Sequence, residues 1–390
     1  MTVSGRVFRA NPSYELVLLD SLAAGEREFL LTLRAENDLY GVLRPVAGSG
    51  LELRAADTDT ALLFLTLRDP ALLPRYLKAR LGAELDQTVT RLVVDRVLEV
   101  EDRHRFLGGR DAAAVLLPRR SSGGSDRIGE LSRAALRYGQ ELVGLRSGEL
   151  ALRLYGYGRR PLTAALNASL TDEREVGRFL GLEPEDTQTA HALAENWFEI
   201  TPPAAGRRYW RTWRSRTAEP SGDPESGFKL YVSPELSGLP VAVAAVAAGA
   251  ARSGAKAFKV GATVGDLCRP DKLVVYFDRL DELHAAATHL VVSLSDCPAH
   301  GVPFTASVTP DGHLSWGADP PTFAADTAGM TSWRLWVSAL LAEYLVAGVA
   351  GEAVDLEPWQ FALERLRLAG VDTDRWIPTR GMWREALANA

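Results

Sequence analysis

The sequence predicts an α+β fold. A mixed α/β module is expected over residues 1–120, a mostly helical middle region over 121–205, and a C-terminal sheet with flanking helices over 206–390. Three observations carry this expectation. Apolar runs of strand length alternate with stretches of helical spacing in the first third. Ser121-Ser122-Gly123-Gly124-Ser125 has the composition of a linker. From Gly227 onward the pattern sharpens into strand, helix, strand, loop, strand.

Taken in order, 14–19 and 29–33 are apolar runs too short for periodicity to separate strand from helix. Residues 61–67 read as a buried strand, 70–81 as a helix closing at Gly82, and 89–100 as an alternating strand before the turn Phe106-Leu107-Gly108-Gly109. Past the linker, 126–145 has the spacing of an amphipathic helix. Residues 150–157 look strand-like, and 172–198 are mostly helical with a break at 181–184.

The next stretch, Gly206-Arg207-Arg208-Tyr209-Trp210-Arg211-Thr212-Trp213-Arg214-Ser215-Arg216, interleaves five arginines with three aromatic rings and contains no acidic residue. An edge strand with arginines laid over rings accounts for it. A surface for a phosphorylated or acidic peptide accounts for it too, with Arg211, Trp213 and Arg214 as substrate-binding candidates. Further on, Lys229 and Tyr231 sit two apart on a strand and project from one face. An alanine-valine helix follows from Pro240, then strands at 257–260 and 272–277 and a helix at 280–294. Short strands flank Pro310-Asp311-Gly312-His313, and helices over 333–346 and 358–368 complete the chain, with Trp333, Trp336 and Leu340 as core residues.

At 390 residues the chain is long enough for two or three domains with substantial cores. Its net charge of −6 gives no basis for general binding to nucleic acid, and no membrane partner is expected. The apolar runs near 239–251 and 335–350 are too short, or interrupted by Glu343, for a bilayer span. Cys268 and Cys297 lack metal-site spacing, so free thiols, a cytoplasmic location and no metal or other cofactor are expected.

The most uneven feature is lysine. Of five lysines, four (Lys229, Lys256, Lys259 and Lys272) fall between residues 229 and 276. Lysine, unlike arginine, gives up its proton near neutral pH when burial or neighbouring cations favour the neutral form, which is what a general base requires. A chance cluster of solvated surface lysines is the alternative.

These residues also resemble a known group. The series of a strand with Lys229-x-Tyr231, a long helix, Phe258-Lys259-Val260, then Arg269-Pro270-Asp271 leading into a strand ending at Tyr276 resembles the HopA family of type III effectors. More remotely it resembles the phosphothreonine lyases of the OspF and SpvC kind, relatives of which serve as lyase components in lanthipeptide formation. The similarity spans about residues 227–320.

The resemblance implies elimination of phosphate from phosphoserine or phosphothreonine. Lys259 would take the Cα proton, Lys229 and Arg269 would hold the phosphate, and Tyr276 would stand near the leaving group. Lys256 and Lys272 join the expected phosphate-binding set as neighbouring cations. The OspF type has a histidine acid two residues after the first lysine, where this chain has Tyr231. Either Tyr231 is the acid, His300 or His313 replaces it, or elimination has been lost. The expected partner is a precursor peptide, phosphorylated by a separate kinase or passed to a cyclase. A non-eliminating peptide-binding or thioether-cyclase partner, and an effector-like interaction module, are the alternatives.

Overall fold

A computed structural model describes residues 3–33, 39–117, 126–183, 187–200, 209–218, 225–320, 332–353 and 355–379. The linker at 121–125 and Gly206, Arg207 and Arg208 lie outside these residues. The architecture is α+β. The chain divides into two units, one of Met1–Ser121, Thr322–Ala328 and Glu343–Ala369, the other of Ser122–Pro321, Gly329–Ala342 and Gly370–Ala390.

In the first unit, strands β1 (Val7–Ala10), β5 (Ala71–Leu72), β6 (Leu98–Asp102) and β7 (Arg105–Leu107) form one antiparallel sheet in the order β5-β1-β6-β7. Strands β2 (Tyr14–Leu18), β3 (Leu39–Pro45) and β4 (Arg54–Asp57) form another. Phe8, Leu43, Leu63, Val89, Val93 and Leu98 are central to its core.

Three expected strands are wholly or partly helical. Residues 61–66 belong to helix Thr58–Thr66, with Leu67 as its C-cap, and the Asp57 carboxylate caps its start by accepting from the Thr60 amide at 2.7 Å. Residues 89–94 lie in helix Leu85–Val94, with β6 only beyond them, and residues 150–155 lie in helix Ser147–Tyr155. Leu150, Ala151 and Leu154 are its buried residues, a helical stripe that a short apolar run conceals.

The second unit is built on one antiparallel sheet in the order β13-β14-β10-β12-β11-β9-β8. Its strands are β8 (Trp197–Ile200), β9 (Trp210–Ser215), β10 (Phe228–Val232), β11 (Ala257–Gly261), β12 (Leu273–Phe277), β13 (Ala306–Ser307) and β14 (Leu314–Ala318). Alternation along each strand sorts the side chains onto two faces. On one, Leu230, Val232, Phe258, Val260, Leu273, Val275, Phe277 and Leu314 pack with helices Leu239–Gly249 and Leu280–Ser293. Trp213 and Trp197 extend this core, Trp213 stacked on Phe258 at 4.9 Å and Trp197 edge-on to it at 4.8 Å.

The run Leu236–Ser253 is long and apolar enough by length and composition to cross a bilayer. Its Leu239, Ala242, Val243, Val246 and Ala247 are nonetheless buried against the sheet.

Both faces of β12 are buried. On the second face Tyr231, Ala257, Val274 and Tyr276 cluster with Val302. This face also carries Lys229 and Lys259, and helix Trp333–Val349 contributes Trp333, whose indole donates to the Phe304 carbonyl at 3.0 Å. Gly317, opposite Lys229 in the register, makes room for Trp333: a Cβ there would lie 2.9 Å from the indole Cδ1.

Candidate functional site

Strand register assembles the site. Tyr276 on β12 lies opposite Lys229 on β10 and Ala257 on β11, so Lys229 and Lys259 approach its ring from two sides. Their Nζ atoms stand 5.8 Å and 5.4 Å from the ring centroid. Lys259 Nζ also lies 4.9 Å from the centre of the Trp210 ring on β9, and the Arg269 guanidinium lies 4.8 Å from that same ring. Three cations from three separate segments therefore stand around the Tyr276 and Trp210 rings on one face of the sheet.

Two carboxylates answer them. Asp319, directly after β14, forms an ion pair with Lys229 and accepts from the Gly227 amide at 2.6 Å. Gly227 sits at φ +90°, where a Cβ would meet the Phe277 carbonyl oxygen at 2.5 Å, so both its backbone angle and its surroundings call for glycine. Glu225 forms an ion pair with Lys259 and accepts from the Tyr276 hydroxyl at 3.3 Å.

Arg269 enters from the turn after the short helix Val264–Leu267 and is fixed by a two-pronged pair with Asp271, at 2.9 and 3.0 Å. Asp271 also accepts from Tyr155 at 2.8 Å and pairs with the fully buried Arg334 at 2.8 Å. Arg334 is held further by the carbonyls of Pro303 and Tyr155, at 3.2 and 2.7 Å. Burial would push the Asp271 carboxyl up, but Arg334 and Arg269, with hydrogen bonds from Arg269 and Tyr155, hold it well below the usual carboxylate range. Burial and the neighbouring Asp271 push the Tyr155 hydroxyl up to about 12, against the pull of Arg334 and Arg269.

Burial likewise raises the Tyr231 and Tyr276 hydroxyls above the ordinary tyrosine range, with Glu225 adding to the effect at Tyr276. Both are proton carriers at neutral pH. The shift makes Tyr231 a weaker acid than an exposed tyrosine.

Of the residues singled out from sequence, Lys229, Tyr231, Lys259, Arg269 and Tyr276 share this face, and Arg214, opposite Ala257, lies on the same side. Four others are placed elsewhere. Lys272 is fully buried, its ammonium donating to the Pro234 carbonyl at 2.8 Å and meeting His300 Nδ1 at 2.8 Å, so it is not a phosphate ligand. Burial, aided by Arg160, lowers its pKa to about 7 despite Glu235 and Asp271. Lys256 pairs with Asp278 at 2.6 Å and donates to Ser226 at 3.1 Å, anchoring the segment before β10. Arg211 is clamped by Glu199 through two 3.0 Å bonds, and Trp213 packs in the core on the opposite face, so neither offers a substrate surface on the lysine face.

The two histidines considered as replacement acids are engaged away from the lysine pair. His300 Nε2 bonds the Gly158 carbonyl at 2.6 Å, and His313 Nδ1 bonds Asp311 at 2.8 Å. Burial and the Lys272 charge lower the His300 pKa to about 4.

Sequence reasoning missed Glu225, Asp319, Trp210, Tyr155 and Arg334 as parts of this constellation. Asp319 reads as a loop terminator before Pro320-Pro321. Tyr155 and Arg334 stand more than 60 residues from Arg269 in sequence, and nothing local to them announces the contact.

The arrangement offers two amines and a guanidinium to an anion, two protonated phenols as donors, and an amine beside a carboxylate that accepts protons. No metal is required for that chemistry. No protein-family model matches the chain, and no curated protein is similar enough in sequence to count as a match.

Among solved structures, the chain is similar to the effector protein from Pseudomonas syringae pv. syringae strain 61, at 13% identity and a TM-score of 0.38 over 64% of this chain and 98% of that one. It is similar in the same degree to the effector from Pseudomonas syringae pv. tomato strain DC3000, again at 13% identity and 0.38, over 64% and 97%. A phosphothreonine lyase follows at 10% identity and a TM-score of 0.26 over 53% of this chain and 97% of that one. These values describe a weak resemblance of fold.

Proposed function

We propose that the second unit is a carbon–oxygen lyase acting on phosphoserine or phosphothreonine in a peptide. The observation that carries this reading is the convergence of Lys229, Lys259 and Arg269 around Tyr276 and Trp210 on one face of the sheet. Elimination needs a base at Cα, cations for the departing phosphate, and donors near the leaving oxygen.

In this reading Lys259, once neutral, takes the Cα proton. The Cα–H electron pair becomes the second bond of Cα=Cβ, the Cβ–O bond breaks, and phosphate departs with the Cβ–O bonding pair toward Lys229 and Arg269. Tyr276 or Tyr231 donates to the leaving oxygen. The peptide is proposed to be a ribosomally made precursor phosphorylated by a separate kinase, on the strength of the motif resemblance given above.

A second reading, a peptide-binding partner without elimination, is favoured by one observation: Tyr231 stands where the lyase pattern has its histidine acid, and its burial makes it a poor acid. The deciding experiment incubates the protein with a phosphothreonine peptide and follows peptide mass. Loss of phosphoric acid is the expected result. Binding of the peptide with its mass unchanged, under conditions where a phosphothreonine lyase turns over, would leave the second reading in its place.

A further inference from the structure

We propose that Glu225 is a specificity-determining residue of this site, keeping carboxylates off the Lys259 amine and giving way only to a substrate whose phosphoryl dianion is drawn to Lys229 and Arg269. The inference rests on reading the site as one that binds phosphoryl groups. It starts from Glu225 itself, whose carboxylate already occupies the Lys259 amine and accepts from the Tyr276 hydroxyl at 3.3 Å.

A substrate whose phosphoryl group is drawn to Lys229 and Arg269 must displace Glu225 to bring its Cα to the Lys259 amine and its leaving oxygen to the Tyr276 hydroxyl. Glu225 is therefore an internal competitor for any anionic ligand. Its side chain is 38% exposed, against 15% for Lys259, so it lies on the outer side of the pair where a ligand arrives.

Neighbouring contacts fix the position of that competitor. Ser226 accepts from Lys256 at 3.1 Å, and Gly227 donates to Asp319 at 2.6 Å, so the next two residues are tied to residues that flank β11 and β14. A carboxylate held on a tethered segment has a high effective concentration at its partner, and an incoming anion must beat it there.

A carboxylate side chain brings one negative charge and only replaces like with like. A phosphoryl group brings about −1.5 to −2 charges and three acceptor oxygens. Its acceptors suffice for both Lys229 and Arg269, the two cations assigned to it in the elimination. Glu225 thus raises the threshold for entry by an amount that a phosphoryl group overcomes and an acidic side chain does not.

The test compares binding of a phosphothreonine peptide, the same peptide with glutamate at that position, and inorganic phosphate, in wild type, Glu225→Gln and Glu225→Gln/Lys259→Met. Glutamine keeps the shape and removes the charge. The wild type is expected to prefer the phosphopeptide to the glutamate peptide by at least about tenfold. In Glu225→Gln, affinity for the glutamate peptide rises about tenfold and that for the phosphopeptide rises less, so discrimination falls. Adding Lys259→Met removes the gain.

Unchanged discrimination in a folded Glu225→Gln protein, or a gain that survives Lys259→Met, overturns the proposal. Glu225→Thr, read the same way, serves if the glutamine variant does not fold. Failure here is distinct from failure of the lyase reading. Intact elimination with unchanged discrimination removes only the role of Glu225, whereas altered discrimination without elimination removes only the lyase.

Discussion

Two lysines on the same sheet live under opposite rules. Lys259 keeps 15% of its side chain exposed and is answered by Glu225, itself well exposed, while Lys272 has no exposure and is answered by a carbonyl and an imidazole. The first pair can be taken apart and remade by an arriving anion, because both members still reach water. The second is closed, and its burial acts on the proton of the amine instead. A lysine cluster in sequence is therefore two things in space: an exchangeable amine near Tyr276, and a sealed one just before the start of β12. The expectation that Lys256 and Lys272 stand with Arg269 as neighbouring cations of Lys259 does not describe either lysine, since Lys256 is held by Asp278 and Ser226 and Lys272 by Pro234 and His300.

The comparison breaks most sharply at Lys259. Lys259→Ala is expected to lower elimination by about 10²–10⁴-fold, the usual contribution of a positioned base, while Lys256→Ala leaves the rate within about threefold because Lys256 serves Asp278 and Ser226. Single-turnover mass spectrometry of a phosphothreonine peptide reads both. Equal losses in the two variants would mean the amines act as a diffuse field rather than as one base and one anchor.

Arg334→Met tests the fixed side of the site. Arg334 is wholly buried, and its removal leaves Asp271 with Arg269 and Tyr155 but without its second guanidinium. Breaking such a buried pair costs about 3–5 kcal/mol. A large fall in chemical-denaturation midpoint is expected. A variant as stable as wild type would show that Arg269 alone compensates Asp271.

How much of this was legible follows from which interactions are local. The strands at 229–232, 257–260 and 273–277 were readable because apolar alternation and lysine spacing are local signals, and pairing in register then forces Lys229, Lys259 and Tyr276 together. The 61–67 run looks like a strand in sequence because a continuous apolar stretch has no phase, and only the Asp57 cap decides it. The aromatic-arginine patch misled because alternation splits it between faces. Trp210 joins the lysines, whereas Arg211 and Trp213 pack behind the sheet. Glu225 and Asp319 were invisible as site residues for a different reason: an isolated carboxylate in a loop carries no signal until the chain brings it to an amine.

The smallest effect is also the one that isolates the closed lysine. In an unfolded chain Lys272 keeps its proton to about pH 10.4, whereas in the folded protein burial brings its pKa down to about 7. Between those limits the unfolded state binds more protons, so folding stability rises with pH; below about pH 7 both states are protonated and the penalty of burying the charge is fully present. Over about pH 7.5 to 9 the rise from this one group is on the order of 1–2 kcal/mol.

Denaturation midpoints of wild type and Lys272→Met across that range separate this slope from the constant cost of losing the bonds to Pro234 and His300, since the constant cost shifts the whole curve and the slope does not survive without the amine. His300 titrates below the window, its pKa being lowered to about 4 by burial and by Lys272. Asp271, held low by its two arginines against the pull of burial, loses its stabilisation only on acidification below about pH 4. Parallel curves for the two proteins would mean that Lys272 keeps its proton in the folded state and that the two lysines differ in exposure alone.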